Sequence, residues 1–245
     1  MPSSEPGSHW FEAMAEHLGP AYLRYSFTKG TEQEVAFLVE ALELAPGMTV
    51  LDVGCGPGRH AHAMARRGVK VHGVDIAARF VELAQADAPD GATFQRLDAR
   101  ALPWEGEFDA AISLCQGAFG LDAAGDAEVL AGMARALRPG GRLAVSAFSA
   151  YFQLRWLEES DTFDADAGVN HERAVLRDPD GVDATFDLWT SCFTPRELRL
   201  LAERAGLVVR ALHSVTPGGY GAAPPSLDQP ELLLIADRAS TLQEP

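Results

Sequence analysis

Residues Thr49-Val50-Leu51-Asp52-Val53-Gly54-Cys55-Gly56-Pro57-Gly58 join a short apolar run to a glycine-rich turn. The pattern predicts a β-strand that ends at the glycines, and the apolar spacing in residues 59–65 predicts a helix directly after it. Because glycine has no Cβ, the turn can adopt positive φ angles and let a ligand approach the backbone, while the first helical turn offers unpaired N–H groups. The stretch therefore predicts a nucleotide-binding strand, turn and helix.

A second apolar run begins at Val69 and ends in an acid, Asp75, which lies 21 positions (75 − 54) after Gly54. A carboxylate at the tip of the second strand can accept hydrogen bonds from both hydroxyls of a ribose. The dinucleotide fingerprint G-x-G-x-x-G would require a third glycine where this chain has Arg59. The spacing therefore disfavours an NAD(P)-dependent oxidoreductase, which stays as the less favoured alternative.

The stretch resembles the first motif of class I (Rossmann-like) S-adenosylmethionine-dependent methyltransferases, hydrophobic-D-hydrophobic-G-C-G-x-G, and the resemblance covers residues 35 to 150 in outline. It implies S-adenosyl-L-methionine as cofactor and S-adenosyl-L-homocysteine as product. In that family an acid after the third strand binds the adenine amino group, which implies this role for Asp98; a turn cap is the other interpretation. The predicted cofactor-binding residues are Asp52, Gly54, Cys55, Gly56, Gly58, Asp75, Ile76, Asp98, Ala99, Leu114, Cys115 and Gln116.

The same resemblance implies an α/β fold with a seven-stranded, mostly parallel Rossmann-like sheet, helices on both faces and an antiparallel last strand. After the fifth strand, the turn Asp178-Pro179-Asp180-Gly181 between two alternating segments predicts an antiparallel hairpin insertion. We divide the chain into a tail, helix and aromatic lid loop (1–30), a cofactor-binding core (31–148), a substrate-cap insertion (149–193) and a C-terminal helix with closing strands (194–245).

The segment before the glycine turn carries an amphipathic helical pattern from Trp10 to Leu18 and then an aromatic-rich loop. The aromatic side chains of this loop either pack the helix onto the sheet or fold over cofactor and substrate as a lid, as N-terminal segments do in the resembled family. A second helix is predicted from Thr31, as N-cap, to about Leu44, with Glu34 completing a capping box.

Substrate identity must depend on the last third of the chain, where residues 149–193 either cap the substrate pocket or form a dimer surface. The catalytic candidate is His171, because histidine titrates near neutral pH; a packing or surface role is the other interpretation, and His213, Glu172 and Tyr151 are further candidate bases. His60 and His62 have no predicted catalytic part. The predicted substrate contacts are Tyr22, Tyr25, Phe27, Phe119, Tyr151 and Trp189.

The amino-acid composition limits the classes of partner and ligand that the protein can have. The 245 residues carry a formal net charge of −15, which disfavours nucleic acid as a partner. No apolar run approaches the roughly 20 residues that cross a bilayer, and residues 1–8 lack the features of a signal peptide, so we expect a cytoplasmic protein without a membrane partner. The three cysteines are far apart, and no histidine or carboxylate cluster has metal-ligand spacing, so we expect no metal.

These observations predict a methyltransferase that moves a methyl group from S-adenosylmethionine to an O, N or C nucleophile of a small molecule. The alternative is a protein that binds the cofactor without catalysis, as a sensor or partner subunit. A monomer and a homodimer are both compatible with the sequence.

Overall fold

The computed structural model describes residues 9–121 and 123–240, so the predicted tail before His9 lies outside the described residues. Helices alternate with strands up to the fifth strand, except that only a short 3-10 helix, Ala99–Ala101, separates the third strand from the fourth. The helices are α1 (Trp10–Leu18), α2 (Thr31–Ala41), α3 (Arg59–Ala65), α4 (Ala78–Ala86), α5 (Asp126–Ala136), α6 (Ala150–Arg155) and α7 (Pro195–Arg204). The strands are β1 (Thr49–Val53), β2 (Lys70–Asp75), β3 (Ala92–Arg96), β4 (Phe108–Ser113), β5 (Leu137–Ser149), β6 (Thr162–Asp164), β7 (Val169–Arg177), β8 (Asp183–Phe193), β9 (Leu207–Val215) and β10 (Glu231–Arg238).

Seven strands form the predicted Rossmann-like sheet, in the order β3-β2-β1-β4-β5-β10-β9. The first five are parallel neighbours, whereas β10 runs antiparallel to both β5 and β9. Val53 pairs with Val74 in the β1–β2 register, so the glycine turn and Asp75 follow at the same edge of the sheet. Ligands of open parallel sheets bind at this edge, beyond the carboxyl ends of the strands.

The insertion departs from the prediction, because it contains three strands and joins the main sheet. β6, β7 and β8 pair antiparallel, and β8 then pairs in parallel with the end of β5 at Phe148–Cys192 and Ser149–Phe193. The sheet therefore has ten strands and not seven. The physical reason is that β5 continues past Val145, its last pairing with β4, and its freed backbone groups pair with β8.

The core lies on both faces of the main sheet. Helices α5 and α7 bury Leu130, Met133 and Leu198 against one face, and α2 and α3 bury Leu38 and Met64 against the other. Fully burying a side chain of this size contributes about 1.5–3 kcal/mol. Two apolar layers thus hold the strand ends, and the loops that follow them, in place.

Helix starts show where local signals decide and where tertiary contacts override them. The capping box predicted for α7 is confirmed, because Thr194 accepts from the Glu197 N–H at 3.2 Å and donates its own N–H to the Glu197 carboxylate at 3.3 Å. The box predicted for α2 is wrong. Gly30 is the N-cap there, and the Glu34 side chain points inward to Arg59.

Helix α1 packs between the core and the insertion. The Trp10 ring meets Trp189 of β8 at 5.6 Å, and Phe11 meets Phe80 of α4 at 5.8 Å. The predicted aromatic loop that follows is largely two short 3-10 helices, at Gly19–Arg24 and Ser26–Thr28. Within residues 9–121 and 123–240, we find no helix with the length and apolar character needed to cross a membrane.

Candidate active site

The glycine turn after β1 has the backbone conformation that its sequence predicts. Gly54, Gly56 and Gly58 have φ angles of +75°, +53° and +83°, in the region that L side chains rarely adopt. A Cβ on Gly54 would lie 2.0 Å from the carbonyl carbon of Gly117, in the loop after β4. Only glycine therefore allows these two loops to meet backbone to backbone.

Asp75 fixes the shape of this turn from the end of β2. Its Oδ2 accepts the Gly56 N–H and its Oδ1 accepts the Ala77 N–H, both at 2.8 Å. The residue is only 3% exposed. Burial raises the pKa of the Asp75 carboxyl to about 6, although the two backbone hydrogen bonds act in the opposite direction. The carboxyl group thus holds the turn and also borders the cleft beside it.

This cleft collects five of the predicted cofactor-binding residues. It is narrow, with a volume of about 40 Å³, because the loop after β4 packs against the glycine turn. The lining residues are His9, Gly54, Val74, Asp75, Ile76, Leu97, Asp98, Ala99, Arg100, Gly117, Ala118, Leu121, Gly125, Asp126 and Val129. An acid thus follows each of two adjacent strands, β2 and β3, at one wall of the cleft.

Asp98 is placed both to contact a ligand in the cleft and to cap a turn, the two roles that its sequence position suggests. It borders the cleft, and its Oδ1 also accepts the Arg100 N–H at 2.9 Å as the cap of the 3-10 helix Ala99–Ala101. The Arg100 guanidinium hydrogen-bonds the carboxylate and lowers its pKa below the ordinary value. Asp98 is therefore ionised at neutral pH at the mouth of the cleft.

The loop after β4 separates the cleft from a second cavity. Gly117 and Ala118 line the cleft, Cys115 and Gln116 line the cavity, and Leu121 lines both. Cys115 and Gln116 have φ angles of +52° and +56°. Such conformations cost non-glycine residues of order 1–3 kcal/mol each, and they concentrate at functional sites.

Two polar contacts of this loop are informative. The Cys115 N–H donates to the Ser146 hydroxyl of β5 at 2.7 Å, which holds the loop against the sheet. The Gln116 Nε2 atom is buried and has no hydrogen-bond partner in residues 9–121 and 123–240. An unpaired buried amide costs free energy, so this group is available to a ligand.

The second cavity is larger, about 430 Å³, and mostly apolar. Four predicted substrate contacts border it, namely Tyr22, Tyr25, Phe27 and Trp189, and Tyr22 packs on Phe27 with ring centroids 5.4 Å apart. The full lining is Trp10, Phe11, Met14, Leu18, Tyr22, Tyr25, Phe27, Cys115, Gln116, Leu121, Phe148, Glu172, Ala174, Leu176, Leu188, Trp189, Thr190, Pro217, Pro230 and Glu231. Volume and aromatic lining suit a small organic molecule.

Three predicted residues are not brought to this cavity. Phe119 is fully buried in the core and stacks on Phe193 at 4.9 Å, so it has no surface to offer a substrate. Tyr151 is 45% exposed on α6 and is absent from the lining. His171 is also absent from the lining, although its neighbour Glu172 belongs to it.

Strand alternation explains the position of His171. On β7 the residues Glu172, Ala174 and Leu176 turn one face to the cavity, so His171 belongs to the opposite face. Its Nε2 atom lies 2.8 Å from the Asp187 carboxylate, and its ring stacks on Trp189 at 5.0 Å. This placement favours the packing interpretation over the catalytic one.

The remaining predicted cofactor residues lie beneath the turn and outside the cleft lining. Asp52, Cys55 and Leu114 are buried, and burial raises the pKa of Asp52 to about 7. Gly56 and Gly58 supply backbone conformation. The described residues, 9–121 and 123–240, contain no group of three or more His, Cys, Asp or Glu side chains placed to hold a metal ion.

The sequence analysis missed Glu231, the first residue of β10. The side chain is 4% exposed and lines the second cavity, and its Oε2 atom has no hydrogen-bond partner among the described residues. Burial raises the pKa of Glu231 to about 7, opposed by a hydrogen bond with Ser146. The available signal was an acid at the start of the otherwise apolar run Glu231-Leu232-Leu233-Leu234-Ile235-Ala236, which must lie at the ligand-binding edge because β10 is antiparallel.

A buried ionic network supports the turn from below and was also missed. Arg59 donates to Glu34 at 2.5 Å, and the His60 ring lies 2.8 Å from the same carboxylate oxygen. Burial opposes the charge on Glu34, but the His60 hydrogen bond and the Arg59 charge lower its pKa to about 2. Burial lowers the pKa of His60 to about 4, so this imidazole is neutral at pH 7. Arg59 also donates to the Cys115 thiol at 3.0 Å and so connects α3 to the loop after β4.

The strand order, the glycine turn and the acids at the ends of β2 and β3 define the fold class: it is the class I, Rossmann-like fold of S-adenosylmethionine-dependent methyltransferases. Within it, residues 50–141 match the family described as "Methyltransferase domain".

Known proteins similar to the chain agree with this assignment. The 27-O-demethylrifamycin SV methyltransferase of Amycolatopsis mediterranei is 37% identical over 118 residues, which cover 45% of this chain and 42% of that protein. The CcbJ methyltransferase structure from Streptomyces caelestis has a TM-score of 0.71 at 21% identity and covers 86% of this chain and 89% of that one. S-adenosylmethionine-bound CalS10, an amino pentose methyltransferase from Micromonospora echinaspora, has a TM-score of 0.64 at 22% identity, with 97% and 100% covered. The match spans less than half of the curated relative, and the two structures share the fold.

Proposed function

We propose that the chain transfers a methyl group from S-adenosylmethionine to an O, N or C nucleophile of a small molecule. The observation that carries this proposal is the pair of neighbouring spaces on either side of one loop. One is a narrow cleft bordered by the acids Asp75 and Asp98, and the other is an aromatic cavity. A donor in the cleft and an acceptor in the cavity would meet at residues 115–118.

The residues of the cleft fit the cofactor. Each Asp75 oxygen accepts one backbone N–H and keeps a further lone pair, so the carboxylate retains capacity for the ribose hydroxyls. Asp98 can accept from the adenine amino group. On the cavity side of the loop after β4, the unpaired Gln116 amide can donate to a polar group of the methionine part where that part reaches the cavity. Because the cleft is narrow, binding would part the backbone contact between Gly54 and Gly117.

When bound, the cofactor supplies a methyl group that its sulfonium already activates. The protein must then align the acceptor and exclude water. Helix α1 and the 3-10 helices that follow it cover the cavity with Trp10, Tyr22 and Tyr25. Glu172 and Glu231 reach the cavity, so in this proposal the base, where one is needed, is a carboxylate and not His171.

A small acceptor is supported by the cavity and by the relatives. A volume of about 430 Å³ lies within the range of small-molecule sites. Two similar proteins are named as methyltransferases of 27-O-demethylrifamycin SV and of an amino pentose. The insertion β6–β8 walls the cavity through Glu172, Leu188 and Trp189, which supports its proposed role as a substrate cap.

The test is methyl transfer from isotopically labelled S-adenosylmethionine to a library of small acceptors, with product detected by mass spectrometry. We expect labelled product with the wild-type protein and a large loss with Asp75→Asn. Cofactor binding without any product across the library would instead favour the non-catalytic binding protein. Lack of cofactor binding would contradict the proposal as a whole.

A further inference from the structure

The second cavity has an uneven charge. Among the described residues that line it, Glu172 and Glu231 are the acids, and none is Lys, Arg or His. The other walls are aromatic or aliphatic, apart from a few neutral polar groups. A ligand that fills this space therefore meets carboxylates on an apolar background.

Glu231 is the more buried of these two acids. The residue is 4% exposed and lines the cavity, and its buried Oε2 atom lacks a hydrogen-bond partner among the described residues. Of the charges that act on it, Arg59 and Glu34 have opposite signs and also pair with each other. Neither residue lines the cavity. Because Arg59 is paired with Glu34, its positive charge is already balanced and does little to compensate Glu231.

An isolated buried carboxylate is unfavourable, because burial removes its solvation without compensation. A ligand that donates a charged hydrogen bond to Oε2 would supply that compensation. Glu172 adds a second negative group, whose pKa is also raised by burial and by the neighbouring acids Asp161 and Glu158. Anionic acceptors, such as carboxylates, would be repelled by both groups.

We propose that the methyl acceptor of this chain is an amine, held in the cavity as an ammonium ion by Glu231 and Glu172. This inference rests on the proposed function and names its substrate class. The aromatic walls suit the apolar body of such a ligand, and the rings of Trp10, Tyr22 and Trp189 can face a cation. An ammonium group donates up to three hydrogen bonds, which matches two carboxylates better than a hydroxyl does.

The carboxylate also provides the proton acceptor that an amine requires. An ammonium nitrogen has no free lone pair, so R–NH3+ must lose a proton before nitrogen can attack a methyl group. Transfer to Glu231 gives R–NH2 and a neutral carboxylic acid, so charge and protons balance. The proton then returns to solvent.

The test compares matched amines and alcohols that differ only at the polar group: tryptamine with tryptophol, and 2-phenylethylamine with 2-phenylethanol. Binding is measured by calorimetry at neutral pH, with the protein saturated with S-adenosylhomocysteine. We expect each amine to bind at least about tenfold more tightly than its alcohol, as for one charged hydrogen bond. In Glu231→Gln and Glu172→Gln this ratio should fall toward one, whereas Glu105→Gln, an exposed acid outside the cavity, should keep it.

Equal affinity within both pairs, an unchanged ratio in both cavity variants, or no binding of any of the four compounds would overturn the proposal. Binding of S-adenosylhomocysteine itself is recorded first on the same samples. If it binds and no amine preference follows, only the amine assignment fails. If it does not bind, the proposed function fails with it.

Discussion

The Asp75 carboxylate accepts the Gly56 N–H at 2.8 Å and so joins the end of β2 to the turn after β1. A second bond, from the Ala77 N–H, leads into α4. One acid therefore holds the turn in shape while it borders the cleft that we assign to the cofactor. The same side chain therefore fixes the conformation of the glycine turn and is placed to contact the ligand.

Replacing this acid should weaken cofactor binding. Asp75→Asn removes the charge and turns one oxygen into a donor, so we expect about a 10- to 100-fold loss of affinity for S-adenosylhomocysteine, equivalent to one charged hydrogen bond. The measurement is calorimetric titration. Asp87→Asn, an exposed position after α4, controls for the change in net charge and should bind normally. Equal affinity in all three proteins would contradict the assignment of Asp75.

The network of Arg59 with Glu34 should dominate local stability. Glu34→Gln leaves a buried guanidinium without its counter-ion, so we expect the free energy of unfolding to fall by about 3–5 kcal/mol. Glu32→Gln, on the same helix, breaks the exposed pair with Arg67 and should change stability by less than about 1 kcal/mol. Denaturant unfolding compares the two variants. A similar effect in both variants would show that the buried pair contributes no more to the free energy of unfolding than the exposed pair does.

Any side chain added at the contact between Gly54 and Gly117 should lower the stability of the protein. In Gly117→Ala the new Cβ would lie 2.1 Å from the Gly54 carbonyl oxygen, so we expect a loss of about 1–3 kcal/mol in stability, as for other overpacked sites. Gly221→Ala is the matched control, because its Cβ would meet nothing within 4 Å. Thermal unfolding measures both. Equal Tm values would mean that the two loops part freely.

Amine binding should depend on pH through Glu231. Burial raises the pKa of this carboxyl to about 7, so the carboxylate is lost as the pH falls through that value. We expect tryptamine affinity to fall about tenfold from about pH 8 to about pH 6, because the ligand stays cationic while Glu231 protonates. The groups that act on Glu231 are Ser146 of β5, Glu34 of α2, Arg59 of α3, Cys115 and Tyr220, with Glu172 in the same cavity.

Calorimetry across this pH range with wild type and Glu231→Gln checks the origin of the effect. The variant should give a flat profile, because it has no carboxyl at this position. A slope that persists in the variant would assign the dependence to Glu172 or to another group.

Five of the residues that line the cleft could be named from the sequence because their signals are local. Positive φ at Gly54, the acid after β2 and the acid after β3 each follow from a few neighbouring residues. The cap of α2 failed for the opposite reason. Thr31 and Glu34 have the spacing of a capping box, but Arg59 and His60, which lie far along the chain, bind the Glu34 carboxylate instead.

The residues that line the second cavity are hard to predict from the sequence, because they depend on which side of each strand faces the cavity. One residue separates Glu172, which lines it, from His171, which does not, and no local pattern fixes which face turns inward. Glu231 joins the site only because β10 pairs antiparallel with β5. The three-residue strand β6 is too short to give a periodic signal.

Calorimetric titration of the protein with S-adenosylmethionine, S-adenosylhomocysteine and NADH, run in parallel, tests the cofactor assignment most directly. We predict binding of the first two and none of NADH, because the glycine spacing 54, 56, 58 lacks the third glycine of a dinucleotide turn. Binding of NADH alone would contradict the assignment and would redefine the glycine turn as a degenerate dinucleotide site.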